Sequence, residues 1–169
     1  MDIDLLTLYF TRYGGAAIFL IVLLEYMNMP GFPAGVIMPL SGVWAARGNI
    51  HFLTVLLITF SAGVLGSWIL YFLGRTGGNL LLEKYLKKFP GHREAVERNF
   101  EMIRQKGCFG IFLSKLIPMV RTLVSLPAGV LKINFAKYTL SSALGVFIWN
   151  LFFVGAGYFF GDAVFAYLK

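Results

Sequence analysis

The stretch GCFGIFLSKLIPMVRTLVSLPAGVL, residues 107–131, is apolar enough for a membrane interior yet carries Lys115, Pro118, Arg121 and Pro127. Proline removes a backbone donor and clashes with the preceding turn, so the carbonyls it frees need partners that lipid cannot supply. Broken backbone at membrane depth is tolerated where protein encloses it or water reaches it. The stretch therefore reads as a helical hairpin that enters and returns on one side, its broken tip held inside the protein. Residues 14–46 show the same pattern, with Glu25, Pro30, Pro33 and Pro39, and predict a second such hairpin.

The rest of the chain identifies the solvent. Of 169 residues, 58% are hydrophobic and 14% charged, with a mean hydropathy of +0.74. Soluble domains carry about 25% charged residues because their surfaces are wetted. Much of this surface is expected to face a bilayer. The composition excludes a disordered chain and a collagen-like chain, and a disulfide scaffold is excluded by the single Cys108. Asp2 and Asp4 stand where a removable signal would be positive, so the first residues are expected to be retained.

Two uncharged runs are long enough as helices to cross roughly 30 Å of hydrocarbon, at 51–74 and 138–161. Small residues four apart recur in both: Ala62 and Gly66, Gly63 and Ser67, Ser141 and Gly145, Gly157 and Gly161. These favour close helix packing. The run Gly155-Ala-Gly157-Tyr-Phe-Phe-Gly161 superficially resembles a dinucleotide loop, but it follows no strand, so packing is the preferred reading. Residues 75–106 form a wet connector. Pro90-Gly91 divides it into two short helices with apolar faces at Leu82, Tyr85, Leu86 and Phe89, and at Val96, Phe100 and Ile103. Asn79 is expected to cap the first helix and Gly107 to end the second.

The order hairpin 14–46, spanning helix 51–74, connector 75–106, hairpin 107–131, spanning helix 138–161 is an internal repeat, 14–74 and 107–161, within one membrane domain, 1–169. Gly42-Val43 followed by Tyr71 to Gly74 parallels Gly129-Val130 followed by Tyr158 to Gly161. With one full crossing per half, the two units are inverted relative to each other, an arrangement used by transporters. The fold class is therefore an all-α membrane protein of two inverted repeats, each a re-entrant hairpin plus a spanning helix. Fifteen basic against eight acidic residues give a formal charge of +7. Most of the basic residues lie between Arg75 and Lys137, which places the connector in the cytoplasm by the positive-inside rule. A nucleic-acid surface would interleave aromatics with this charge. Here the aromatics sit mainly in uncharged runs, so nucleic acid is not an expected partner.

An ion at the bilayer centre costs about 2.5 to 3.5 kcal/mol on insertion scales, so Glu25, Lys115 and Arg121 are the candidate functional groups. A helix broken at Pro118 lets Lys115 and Arg121 converge on one cavity. Two cations beside exposed amides suit a phosphate or carboxylate. Glu25 is positioned to neutralise a cation or to exchange a proton. The structural alternative is an ion-pair network that only locks the hairpins together.

Phe112-Leu-Ser-Lys115-Leu-Ile-Pro118-Met-Val-Arg121, followed by Pro127-Ala128-Gly129 and Phe135, resembles the basic-x-x-Pro-x-x-Arg hairpin of the DedA family, whose core is the SNARE-associated or VTT domain. Glu25, Pro30, Pro33, Gly42 and Gly48 are similar to the family's first hairpin, and Gly66, Tyr71, Gly74, Arg75 and Gly78 to its following helix. The resemblance implies a multi-pass protein of the bacterial inner membrane that translocates lipids, including the polyisoprenyl (undecaprenyl) phosphate carrier or a phospholipid, with links to proton-motive force. The residues fit this independently, with Lys115 and Arg121 expected to bind the headgroup, Glu25 expected as the proton or gating group, and Pro30, Pro33, Pro118, Pro127 and Gly129 expected as hairpin breaks. Lys115 stands where the family usually has arginine, which keeps the charge but loses the bidentate fork. Gly35 stands where many members have a second acid, which bears on proton coupling.

The competing classes are a proton-coupled exchanger of small ions and a scaffold whose charges serve assembly. A homo-oligomer is compatible with either. Enzymatic chemistry, a cofactor and a metal are not expected: His51 and His92 lack ligand-spaced partners and Cys108 lacks an activating base. Trp44 and Tyr167, near the ends of apolar runs, are expected to be interfacial anchors.

Overall fold

The computed structural model describes residues 3–27, 36–47, 50–118 and 120–167 and contains, among these, helices without strands. Pro30, Pro33, Gly35 and Gly48 lie outside the described residues, as does the Tyr167 side chain. The elements are α1 (Ile3–Tyr26), α2 (Ile37–Ala46), α3 (Phe52–Lys88), a 3-10 turn at Pro90–His92, α4 (Arg93–Lys115), α5 (Val120–Leu123), α6 (Ser125–Val130) and α7 (Phe135–Tyr167). Two apolar spans, Phe52–Leu80 and Phe135–Gly161, are long enough to cross a membrane. Their outer faces expose Leu53, Leu57, Phe72, Leu140, Phe152 and Phe159. In water such a surface would aggregate, whereas against lipid it is satisfied.

Glycine sets the bends. Gly14, Gly78 and Gly107 have φ of +51°, +51° and +57°, and interrupt α1, α3 and α4. Only glycine enters this region without a Cβ penalty. The first spanning helix therefore does not stop at the charge of Arg75, as its hydropathy suggests. It continues to Gly78, because a terminal arginine can reach the interface while its backbone stays helical. Gly107 ends the second connector helix, as expected.

Around Pro118 the helix opens as expected. Leu116 and Ile117 donate to Leu113 and Ser114 in tightened turns, and the chain restarts as Arg121 N–H bonds the Ile117 carbonyl at 3.0 Å. Pro127 does not break the chain. It occupies the third position of α6, where a missing N–H costs little, and Pro39 sits likewise in the first turn of α2. Gly129 is also helical, and its role is close approach: a Cβ there would overlap the Tyr71 carbonyl oxygen and lie 2.8 Å from the Arg75 nitrogen.

Packing crosses between the halves. The limb of α1 lies on α3 and the limb of α4 on α7, whereas α2 lies mainly on α7 and α6 mainly on α3. The contacts correspond in detail. Gly42 of α2 meets the Val154 carbonyl and the Tyr158 nitrogen as Gly129 of α6 meets those of Tyr71 and Arg75, and Gly157 meets the Pro39 carbonyl as Gly74 meets that of Leu126. This register pairs Gly74 with Gly157, one turn before the Gly161 chosen by matching the sequence junctions. Both glycines face α2, Gly161 against Val43, so sequence alone could not separate them.

The connector is not merely a solvated strap. Leu82, Leu86 and Val96 pack with Leu123 of α5 and Leu126 of α6, while its outer face carries the exposed Arg93–Glu97 pair at 3.8 Å. Trp44 is not an interfacial anchor. It is buried with Ile18, Val22 and Val55, because α2 turns that face toward the core.

Candidate functional site

The three ionisable groups expected within the membrane meet at one place. Glu25 arrives from the end of α1, Lys115 from the end of α4 and Arg121 from the restart at α5. Arg121 Nη2 donates to Glu25 Oε1, with both side chains 1% exposed. Lys115, also 1% exposed, donates from Nζ to Ser67 Oγ at 2.8 Å and to Ser125 Oγ at 3.1 Å. No carboxylate among the described residues bonds it. The cluster as drawn, with each group ionised, carries one uncompensated positive charge.

Tyr26 is the hub. The Arg121 guanidinium carbon lies 4.6 Å from its ring centre and the Lys115 Nζ 5.7 Å, while the Trp149 ring centre is 4.8 Å from the same guanidinium carbon. Aromatic faces attract desolvated cations. The Tyr26 hydroxyl donates to Asn150 Oδ1 at 2.9 Å. Two glycines make room for these side chains: Gly66 lies against Tyr26 and Leu23, and Gly145 against Lys115 and Phe112. Below the cluster, the Tyr138 hydroxyl bonds the Ser67 carbonyl at 3.0 Å and its ring stacks on Tyr71 at 4.4 Å.

The break at Pro118 is tied from outside. Asn99, fully buried on the connector, donates from Nδ2 to the Val120 carbonyl at 3.2 Å. A connector residue thus adds a second donor to a carbonyl that already accepts from the Val124 N–H at 3.1 Å.

Residue reasoning located Glu25, Lys115 and Arg121 but missed Ser67, Ser125, Tyr26, Trp149, Asn150 and Asn99. One signal was available: Asn150 is the sole carboxamide in the uncharged run 138–161, and a lone amide at membrane depth calls for a partner. His51 is exposed, and His92 Nδ1 lies 2.8 Å from the Tyr85 hydroxyl, both away from the cluster. Cys108 is half-buried. Among the described residues no group of three potential metal ligands occurs.

A separate apolar groove lies between α3 and the segment formed by α5 and α6. Leu70 and Leu73 form one wall, Leu123 and Leu126 the other, and Lys84 and Lys88 line its rim. Ser125 and Arg121, on the same limb as Leu123 and Leu126, face inward to the charge cluster.

The VTT domain matches residues 32–159 of this chain. Undecaprenyl phosphate transporter A of Staphylococcus aureus (strain NCTC 8325 / PS 47) is 29% identical over 155 residues, covering 87% of this chain and 74% of its own length. Uncharacterized membrane protein YkoX of Bacillus subtilis (strain 168) is 33% identical over 132 residues, covering 76% and 58% respectively. Undecaprenyl phosphate transporter A of that Bacillus strain is 25% identical over 147 residues, covering 87% and 72%. No solved structure matches the chain.

Proposed function

The chain belongs to the VTT domain family of membrane proteins, and on that premise we propose that it carries an anionic lipid phosphate, of the polyisoprenyl kind, across the bacterial inner membrane. The observation that carries this reading is Lys115: an amine sealed within the membrane region and held by two hydroxyls and an aromatic face. Desolvating an ion without a counter-ion is expensive, so a purely structural site would have acquired a second carboxylate or lost the lysine. A phosphate supplies the missing negative charge.

In the proposed cycle the headgroup lies against Lys115 and Arg121 while the isoprenyl tail stays in hydrocarbon. The groove between α3 and α6 supports lateral entry, with Lys84 and Lys88 meeting the phosphate first. Glu25 competes with the phosphate for Arg121. It yields as the headgroup arrives and restores the ion pair when the headgroup leaves, either as a carboxylate or through proton exchange. The halves are inverted repeats with re-entrant hairpins, and the connector is cytoplasmic. The crossed packing of limbs on spanning helices supports this, because two similar halves sharing one central site can rock against each other. The function is transport, with no covalent step.

The test uses proteoliposomes containing a labelled polyisoprenyl phosphate. Translocation is expected with the wild-type chain and abolished by Lys115→Ala at equal protein level. Release of inorganic phosphate, or equal translocation by Lys115→Ala, would overturn the proposal.

A further inference from the structure

Several buried donors of the charge cluster stand side by side. Arg121 Nη1, Trp149 Nε1 and Asn150 Nδ2 are buried from water, and none has a hydrogen-bond partner. Each of these nitrogens donates and cannot accept. Their side chains are neighbours, since the Arg121 guanidinium stacks on Trp149 and on Tyr26, whose hydroxyl bonds Asn150. The Lys115 ammonium lies over the same Tyr26 ring. Buried donors are normally satisfied, and a group of orphans in one place calls for an absent acceptor.

The deficit has a definite chemistry. The missing partner offers several oxygens and carries negative charge. A phosphate monoester offers three free oxygens to these donors and a phosphodiester two. We infer that Trp149 and Asn150, consecutive residues of the second spanning helix, form with Arg121 Nη1 a wall of the phosphate site that selects terminal phosphate monoesters. This rests on the reading of Lys115 as a headgroup cation and adds the residues that determine specificity.

Binding to the purified full chain in detergent, measured by titration calorimetry, tests the inference. The probes are farnesyl phosphate, inorganic phosphate and phosphatidylglycerol. Trp149→Phe keeps an aromatic ring beside Arg121 and removes the indole N–H together with part of the ring volume. Asn150→Asp keeps an acceptor for Tyr26 and replaces the NH2 by an oxygen. Unfolding midpoints verify that both variants fold. Farnesyl phosphate is expected to bind wild type more tightly than phosphatidylglycerol and to weaken about tenfold in each variant, a loss of about 1.4 kcal/mol, with little change for the diester. Wild-type affinity in both variants, alongside lost binding in Lys115→Met, overturns the wall and leaves the translocase reading intact. Absence of farnesyl phosphate binding by wild type overturns both. Equal affinity for inorganic phosphate, lost in the same variants, upholds the wall and overturns the lipid as its source.

Discussion

Replacing Glu25 by glutamine preserves its shape while leaving Arg121 and Lys115 as two cations without an acid in a sealed site. Both partners of the Glu25–Arg121 pair are 1% exposed, so water cannot rescue the stranded guanidinium. Breaking a buried pair from one side costs about 3 to 5 kcal/mol. For a chain of this length each kcal/mol moves the unfolding midpoint by about 2 to 4 °C, so Glu25→Gln is expected to lower it by about 6 to 20 °C. The pair interacts, so the costs are not additive. Glu25→Gln/Arg121→Met should recover much of the loss, because an apolar replacement of both charges is often neutral. Lys115→Met removes the unpaired cation and should leave the midpoint unchanged or raise it, even as it abolishes lipid binding. Thermal unfolding of purified variants in one detergent provides the assay. An unchanged midpoint for Glu25→Gln, or a double variant as unstable as the two single losses summed, would refute the electrostatic account.

Gly129→Ala forces a methyl onto the Tyr71 carbonyl and should cost about 1 to 3 kcal/mol, whereas Gly155→Ala, with open space at its Cβ position inside α7, should gain up to about 1 kcal/mol. Chemical unfolding in mixed micelles distinguishes the two signs. Gly78→Ala adds no clash but places a Cβ at φ +51°, so a loss of about 1 to 2 kcal/mol should appear from conformation alone. Asn99→Ala removes the donor to the Val120 carbonyl, and amide hydrogen exchange between residues 116 and 124 should accelerate while that of α7 stays as in wild type.

Much of the site was legible locally. An ion within an apolar run is conspicuous whatever surrounds it, so Glu25, Lys115 and Arg121 stood out, and the helix does open at Pro118. Pro127 obeyed the same chemistry with a different outcome, since a proline in a first turn removes a donor that has little use there. Its helical position depended on where α6 began, which one residue type does not reveal. Trp44 was misread for a related reason: amphipathic character suits an interface, but the orientation of α2 decides which way the ring points.

Composition and run length by themselves determined the solvent and the two spans, because transfer from water and backbone hydrogen bonding are set residue by residue along the chain. The partners were decided by tertiary structure. Ser67 reaches Lys115 across 48 positions and Tyr26 reaches Asn150 across 124, and such meetings follow from how closely helices approach at Gly66 and Gly145. Crossing geometry and register are properties of two packed surfaces together, so neither surface's sequence specifies them alone.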